Sequence, residues 1–415
     1  MSKIRLHGSS SGYTEIAPVA ASGNNTLTLP NDGTIISKDS NGAVGVTSVV
    51  TTTATITTAK VGAAVTISES GIEASGIGIT CANINGGQIG GRRNLVINGA
   101  MRVAQRGTSS TSAGYYTLDR IRNAENGTDE NPTQEQGSVA SGTTPYSLGF
   151  RKALKLTNGN QTSGAQADSN VQIRHKLEAQ DIANSGWNYT SASSFITLSF
   201  WVKSSVAQTF YGNIMSVDGT QRNFPFSLGS LSANTWTKVI QRIPGNTSPT
   251  VDIDNDNGTG INIDIWPYAG ANYTDSGTAV DTWTTFVGGT RLPVNTATWY
   301  TTNDATFDVT GMQLEVGSQA TEFEHRSFGD ELALCQRYYQ GATSVGAGYG
   351  SADGYARAGS VYAVVMRASP TLTTTNTASG SIIASGTSGS GFYVTYGSLG
   401  GSSAGIFTFA ADAEL

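Results

Sequence analysis

Hydrophobic and polar positions alternate with a period of two over much of the chain, which is the period of a β-strand. Residues 196–202 carry Ile, Leu, Phe and Val on one face, and Trp201 falls on the opposite face among polar side chains. Residues 312–316 repeat the pattern with Met, Leu and Val. Turn residues separate many such segments, without helices between them. The pattern predicts an all-β fold, either a sandwich or a barrel.

A hairpin is predicted between residues 251–253 and 261–265, because the Asn257-Gly258 pair between them favours a tight turn. All six tryptophans of the chain lie between residues 187 and 299. Such large aromatic side chains dominate protein cores. Residues 94–328 are therefore predicted to form a β-sandwich that holds the main hydrophobic core.

The first 93 residues are predicted to depend on partner chains for their stability. Residues 1–47 contain short strand-like segments with few apolar residues, which suits an attachment unit. Residues 48–93 contain short apolar pulses separated by Gly, Ser and Thr, and no such segment could bury a core alone. Three copies wound together could bury these side chains on a shared axis. The pattern thus predicts an intertwined β shaft and a homotrimer.

One short helix is predicted after the sandwich. Ser327 and Asp330 have the spacing of a capping box, and Gly341 can end the helix. Beyond it the chain returns to Gly- and Ser-rich β sequence, with strands expected at 360–366, 392–396 and 406–409. Residues 329–415 are predicted to form this linking helix and a small distal β tip. The whole is expected to be an elongated, multi-domain trimer.

Composition narrows the range of partners. Only 13% of residues are charged and the net charge is −6, so no basic surface is expected for nucleic acid. No apolar run approaches the roughly 20 residues that span a bilayer, and the first residues lack a signal-peptide pattern. Membrane insertion is therefore not expected. Cys81 and Cys335 are the only cysteines, which suits a protein made in a reducing cytoplasm.

Several phrases resemble those of bacteriophage tail fibres, particularly from phages of aquatic bacteria and cyanobacteria. They are residues 6–30, 83–91, 93–107, 311–327 and 331–339, and the ending 409–415. Residues 197–204, TLSFWVKS, are similar to a strand of carbohydrate-binding-module jelly rolls. The resemblance implies a jelly-roll sandwich within a virion tail fibre made in the host cytoplasm. It further implies an N-terminus that binds phage tail, adaptor or baseplate proteins, and contact with host polysaccharide or lipopolysaccharide.

No residue is assigned to catalysis or to a metal, and no cofactor is expected. Asp252, Asp254 and Asp256 resemble the start of a calcium loop, but the glycine and the carboxylate at its sixth and twelfth positions are missing. A structural calcium stays an open alternative. A glycosidase needs two carboxylates beside one bond. The candidates lie in a polar, turn-rich loop that reads as a solvated surface: Asp129, Glu130 and Glu135.

Aromatic side chains are the candidates for binding a host glycan, because sugar rings stack on exposed aromatic faces. In the sandwich the candidate is Trp201. In the tip, aromatic residues among Gly and Ser are predicted to be half-exposed: Tyr349, Tyr355, Tyr362, Phe392, Tyr393 and Tyr396. The predicted function is a tail-fibre receptor-binding protein that is not an enzyme. The alternatives are a tailspike enzyme that cleaves polysaccharide, a purely structural virion spacer, and a cellular carbohydrate-binding module.

Overall fold

The structure is a computed structural model. Its backbone is described over residues 92–341, 345–349, 356–376, 381–397 and 405–415, and in five short strands before residue 80. Side chains are described over residues 92–341, 357–375, 382–397 and 407–415. The chain divides into two compact units, Met1–Thr80 and Cys81–Leu415.

The first unit contains two small antiparallel sheets. Strand β1 (Ile4–His7) pairs with β2 (Tyr13–Ile16). Strands β3 (Ala59–Val61), β4 (Val65–Ser68) and β5 (Gly71–Ala74) pair in chain order. These strands agree with the predicted β character of both N-terminal segments. The trimeric shaft remains a prediction.

The second unit contains two six-stranded antiparallel sheets. Sheet A consists, in spatial order, of β16 (Thr284–Thr285), β13 (Arg222–Leu231), β12 (Gln208–Ser216), β15 (Thr259–Ala269), β10 (Asn170–Glu178) and β7 (Ile121–Asn126). Sheet B consists of β14 (Thr237–Pro244), β11 (Phe195–Ser204), β17 (Thr306–Val316), β9 (Lys152–Thr157), β8 (Thr133–Ser138) and β6 (Ser109–Ser110).

The two sheets pack face to face around one hydrophobic core. Leu198 and Phe200 of β11 meet Ile263 and Ile265 of β15 in this core, and all four are buried. The period-two pattern of residues 196–202 therefore places alternate side chains inside, as predicted. The predicted sandwich is confirmed.

The predicted hairpin around Asn257-Gly258 is wrong in its first arm. Strand β15 pairs with β10 on one side and with β12 on the other, so both of its edges are occupied. Residues 251–258 form no strand, although Val251 and Ile253 are buried in the core. Alternation of apolar residues correctly indicated burial there, but pairing was decided by more distant strands.

Short helices connect the strands. They are α1 (Thr144–Ser147), α2 (Ala179–Ala183), α3 (Thr298–Thr301) and α4 (Phe328–Gln336). The Ser327 hydroxyl oxygen accepts the Asp330 N–H at 3.1 Å, which confirms the predicted cap of α4. Gly341 does not end this helix, because a strand has already begun at Tyr339. Within the described part of the chain, no helix has the length and apolar character to cross a bilayer.

The tip, residues 339–415, is a small sheet with its own core. Its strands are β18 (Tyr339–Gly341), β19 (Val345–Tyr349), β20 (Ala356–Val361), β21 (Thr371–Asn376), β22 (Ser381–Thr387), β23 (Gly391–Gly397) and β24 (Gly405–Asp412). Six of them run in the order β18-β24-β19-β20-β23-β22, and β21 also pairs with β24. The strands predicted at 392–396 and 406–409 are confirmed. The strand predicted at 360–366 is wrong beyond Val361, where turns follow.

The C-terminal residues join the tip to the sandwich. The Glu414 carboxylate forms an ion pair with Arg106 at 3.3 Å and a second with Arg120. The Arg120 guanidinium also lies over the Tyr338 ring, 3.4 Å from its centre. Because these groups are largely buried, the contacts replace hydration that the charges lose. The tip is thereby held against the end of the sandwich.

Candidate ligand-binding sites

The two faces of strand β23 have opposite environments. Phe392, Val394 and Tyr396 point into the tip core and are buried. Tyr393 lies between them in sequence and is 54% exposed. The alternation follows from the pleat of the strand, which sends successive side chains to opposite faces. Tyr393 is thus presented on the outer face of the tip sheet.

Glycines flank Tyr393 on both neighbouring strands. In the sheet register Tyr393 is opposite Gly359 of β20 and Gly386 of β22. A Cβ atom placed on Gly386 would lie 2.5 Å from Cε1 of the Tyr393 ring, and Cζ and the phenolic oxygen of Tyr393 are nearly as close. The ring therefore lies over the Gly386 backbone, in the space that a Cβ would fill. An aromatic ring that covers a glycine in a sheet has one supported face and one open face.

The open face of Tyr393 borders a groove with a volume of about 540 Å³. This volume falls within the roughly 300–1,000 Å³ typical of small-molecule sites. Val361, which is 82% exposed, forms part of one wall. Ser360, Thr387, Ser388 and Ser390 also line the groove, and the hydroxyls of Ser388 and Ser390 are bonded to each other. The groove therefore combines an aromatic platform with hydrogen-bonding groups.

Three of the aromatic residues predicted to be half-exposed are not exposed. Tyr362, Phe392 and Tyr396 are buried in the tip core, where the Phe392 and Phe409 rings lie 4.5 Å apart. The prediction of exposure is wrong for them because a small sheet needs large side chains to exclude water from its core. The side chains of Tyr349 and Tyr355 lie outside the described residues. Among the described residues of this predicted group, Phe392 and Tyr393 line the groove, and Tyr393 alone is exposed there.

Trp201 lies on the outer face of sheet B, as its alternation with Phe200 predicted. It stands between Lys238 of β14 and Thr310 of β17 in the register. The indole is half-buried and lines a second, smaller pocket of about 110 Å³. A role of Trp201 in binding remains a prediction.

Sequence reasoning missed Val361 and Gly386 in the groove. Strict alternation over residues 391–397 already separates Tyr393 from its inward neighbours, and this signal was available. The identity of the flanking glycines depends on which strands pair with β23. That pairing involves residues from 356 to 387 and is not readable from the pattern of β23 itself.

The carboxylates considered for glycosidase chemistry hold loops in place. Asp129 accepts hydrogen bonds from the Ser163 N–H at 2.6 Å and from its hydroxyl at 3.0 Å, and these bonds lower the pKa of the Asp129 carboxyl. Glu130 accepts the Asn160 N–H at 2.8 Å, and Glu135 pairs with Lys155 at 3.3 Å. Among the described residues, no group of three or more His, Cys, Asp or Glu side chains is arranged to hold a metal ion.

Comparison with known proteins gives distant likenesses. No protein-family model matches the chain, and no curated protein matches it. The enzymatically active domain of tailspike protein 4 from bacteriophage CBA120 is 11% identical, with a TM-score of 0.27, over 54% of this chain and 21% of that one. The chain thus spans about a fifth of that domain's length.

Two carbohydrate-binding modules are similarly distant. A family 11 module from Clostridium thermocellum, in complex with a mixed-linked tetrasaccharide, is 12% identical over 52% of this chain and 98% of that one, with a TM-score of 0.24. A family 30 module is 10% identical over 55% and 89%, with a TM-score of 0.25. Because these TM-scores are low, the likenesses carry no argument about the fold, and the fold class follows from the strands and their pairing in this chain. The chain contains a β-sandwich followed by a small β tip with an open aromatic groove.

Proposed function

We propose that the chain is a receptor-binding protein of a bacteriophage tail fibre and that it binds a host-surface glycan in the groove beside Tyr393. The observation that carries the proposal is the Tyr393 ring, which rests on Gly386 and keeps its other face open. A sugar ring stacks on such a face at little cost in side-chain entropy, because the glycine bed already fixes the aromatic ring. The assignment to a phage is supported by the resemblance of residues 93–107 and 311–327 to tail fibres.

The hydroxyls of the groove suit a polar, uncharged ligand. Ser388 and Ser390 line the groove and share a hydrogen bond of 3.2 Å between their hydroxyls. These groups can exchange partners with sugar hydroxyls, since each hydroxyl both donates and accepts. In a homotrimer three such grooves would act together, and avidity would strengthen weak binding at each one.

The rest of the chain takes structural roles in this proposal. Residues 1–47 attach the fibre to phage tail, adaptor or baseplate proteins, and residues 48–93 form the trimeric shaft. The protein functions on the virion without catalysis, cofactor or nucleic acid. Its partners are two further copies of itself, the virion protein at its N-terminus, and polysaccharide or lipopolysaccharide of the host.

The test is binding of the full-length chain to an array of bacterial polysaccharides and lipopolysaccharides. For any glycan that binds, Tyr393→Ala should weaken affinity by about 1–3 kcal/mol, the range of aromatic hot spots. Tyr393→Phe keeps the ring and should retain most of the affinity. Unchanged affinity in Tyr393→Ala would show that the groove is not the receptor site. Release of reducing ends from a bound polysaccharide would instead favour the tailspike enzyme.

The exposed apolar residues of the tip favour one alternative, a structural spacer whose tip packs against other copies. Val365 is 67% exposed and Ile383 is 53% exposed, in addition to Val361 and Tyr393. Contact between copies would bury these side chains without any glycan. In that case Tyr393→Ala should weaken association of the chains, and no glycan on the array should bind.

A further inference from the structure

A β-bulge opens the second pocket on the outer face of sheet B. Ser199 of β11 is opposite Gln313, and Trp201 is opposite Thr310, so two residues of β17 face the single residue Phe200. Gly311 takes the left-handed conformation at this point, with φ of 64°. This is the arrangement of a glycine bulge, which bends a strand and redirects its side chains. The pocket of about 110 Å³ forms beside the bend.

The walls of this pocket are aromatic. Phe150, Phe323 and His325 form one cluster, in which the Phe150 and Phe323 rings are 4.9 Å apart and the Phe323 and His325 rings are also 4.9 Å apart. Trp201 faces them from β11. The His325 ring is held by a contact of 2.9 Å between Nε2 and the Leu148 carbonyl oxygen. This side of the pocket is therefore aromatic, and its rings are packed against one another.

Polar groups without partners reach the same space. Ser199 lines the pocket and is only 4% exposed, and its hydroxyl has no hydrogen-bond partner among the described residues. Lys238 lines it too, and over the same part of the chain its ammonium has neither a hydrogen bond nor an ion pair. Both groups are therefore free to bond to a water molecule or to a ligand in the pocket. The pocket thus places hydrogen-bond donors beside aromatic side chains, and Thr321 and Glu322 also line it.

The geometry points to a binding site for the acetyl group of an acetylated sugar. A volume of about 110 Å³ equals that of only three or four water molecules. It lies well below the ~300 Å³ at which sites for whole small molecules begin. An acetyl group supplies a methyl that packs on the aromatic walls and a carbonyl oxygen that accepts from Ser199 or Lys238. This site is separate from the Tyr393 groove and can exist whether or not that groove binds a glycan.

The ligand series uses the full-length chain and saturation-transfer NMR. N-acetyl-D-glucosamine and 6-O-acetyl-D-glucose are the two probes, and they distinguish an acetyl group on nitrogen from one on oxygen. Saturation should be strongest at the acetyl methyl of at least one of them, and D-glucose should show none. Lengthening the acyl group from N-acetyl to N-butyryl should weaken binding at least tenfold, because the pocket has no room for two more carbons. Equal binding of the butyryl and acetyl sugars, or equal signals from D-glucose, would overturn the proposal.

Variants locate the site. Ser199→Leu fills the pocket from its floor, and Trp201→Ala removes one wall, so both should abolish the methyl signal. The control Trp236→Ala removes a neighbouring partly buried indole that does not line the pocket, and Tyr393→Ala removes the platform of the groove. Both controls should retain the signal. A methyl signal that persists in Ser199→Leu and Trp201→Ala, or that disappears in Tyr393→Ala alone, would refute the assignment.

Discussion

The backbone N–H of Asn98 donates a hydrogen bond of 2.6 Å to the carboxylate of Glu331, although 233 positions separate the two residues. The N–H of Asn94 makes the same kind of bond, at 2.7 Å, to Glu324. Both donors precede the first strand of the sandwich and both acceptors follow its last strand. Asn98 and Glu331 are buried, so the bond satisfies a backbone group that water cannot reach. The two ends of the sandwich are thereby closed on each other.

Removing the Glu331 carboxylate should destabilise this closure. In Glu331→Ala the buried Asn98 N–H loses its acceptor, and an unsatisfied buried donor costs about 1–3 kcal/mol. Denaturant unfolding at pH 7 measures the change in the free energy of unfolding. The matched control is Glu322→Ala in the same segment, where the side chain is exposed and forms no hydrogen bond among the described residues. Equal stability of the two variants would contradict the role given to Glu331.

The glycine beneath Tyr393 should matter for binding more than for folding. In Gly386→Ala the new Cβ would lie 2.5 Å from the Tyr393 ring, so the ring must swing away. The displaced ring is on the exposed face of the sheet, so the movement should cost little folding free energy. For a glycan that binds in the groove, we expect at least a fivefold loss of affinity with an unchanged melting temperature. Gly389→Ala is the control, because a Cβ there meets its nearest neighbour at 3.5 Å. Equal affinities of Gly386→Ala and Gly389→Ala for the glycan, measured by calorimetry, would contradict the arrangement of the Tyr393 ring over Gly386.

Much of this arrangement could be predicted from local patterns, and the remainder could not for identifiable reasons. Alternation placed Phe200 inside and Trp201 outside, and the capping spacing located the start of α4. The resemblance of residues 93–107 and 311–327 to tail fibres also identified the two segments that contact each other through the bond of Asn94 with Glu324. The hairpin was wrong because β15 pairs with strands far away in sequence, which local pattern does not encode.

The tip shows the same limit in its aromatic residues. Composition suggested that tyrosines among Gly and Ser are exposed, but composition does not say which face of a strand meets the core. Phe392 and Tyr393 are adjacent in sequence, but Phe392 is buried in the tip core and Tyr393 is exposed. The volume of the groove depends on glycines from two other strands, so only the tertiary pairing reveals it.

His175 should make the stability of the sandwich fall in mild acid. Its Nε2 lies 3.0 Å from the Ile97 carbonyl oxygen, and its Nδ1 is buried without a partner. Burial, together with the charge of Arg120, lowers the pKa of His175 from 6.5 to about 3. Between these values the unfolded chain binds more protons than the folded one, so stability decreases as the pH falls below about 6.5. The loss should be about 1.6 kcal/mol between pH 6.5 and pH 5.

A variant isolates this effect from opposing groups. Burial raises the pKa of Asp119 to about 6. Protonation of this carboxyl therefore increases the free energy of unfolding over part of the same pH range as the pH falls. His175→Gln keeps a donor for Ile97 and cannot be protonated, so the difference in unfolding free energy between wild type and variant should change by the stated amount. His325→Gln, at an exposed position, is the control. A difference that is constant from pH 7 to pH 5 would show that His175 does not titrate as described.

The full-length chain should be a trimer held by its shaft rather than by its tip. Light scattering is expected to give three times 43.1 kDa, because residues 48–93 cannot bury their isoleucines within one chain. If residues 48–93 form the predicted shaft around a shared apolar axis, an aspartate in place of Ile67 would bring a charge into it, and a charge there is strongly unfavourable. Ile67→Asp should therefore reduce the mass to that of one chain. Val361→Asp is the matched change in the tip, at a position that is 82% exposed, and should leave the trimer intact. A monomeric wild type would contradict the prediction of a trimeric shaft. Dissociation by Val361→Asp but not by Ile67→Asp would show that the chains associate through the tip, and would support the structural spacer.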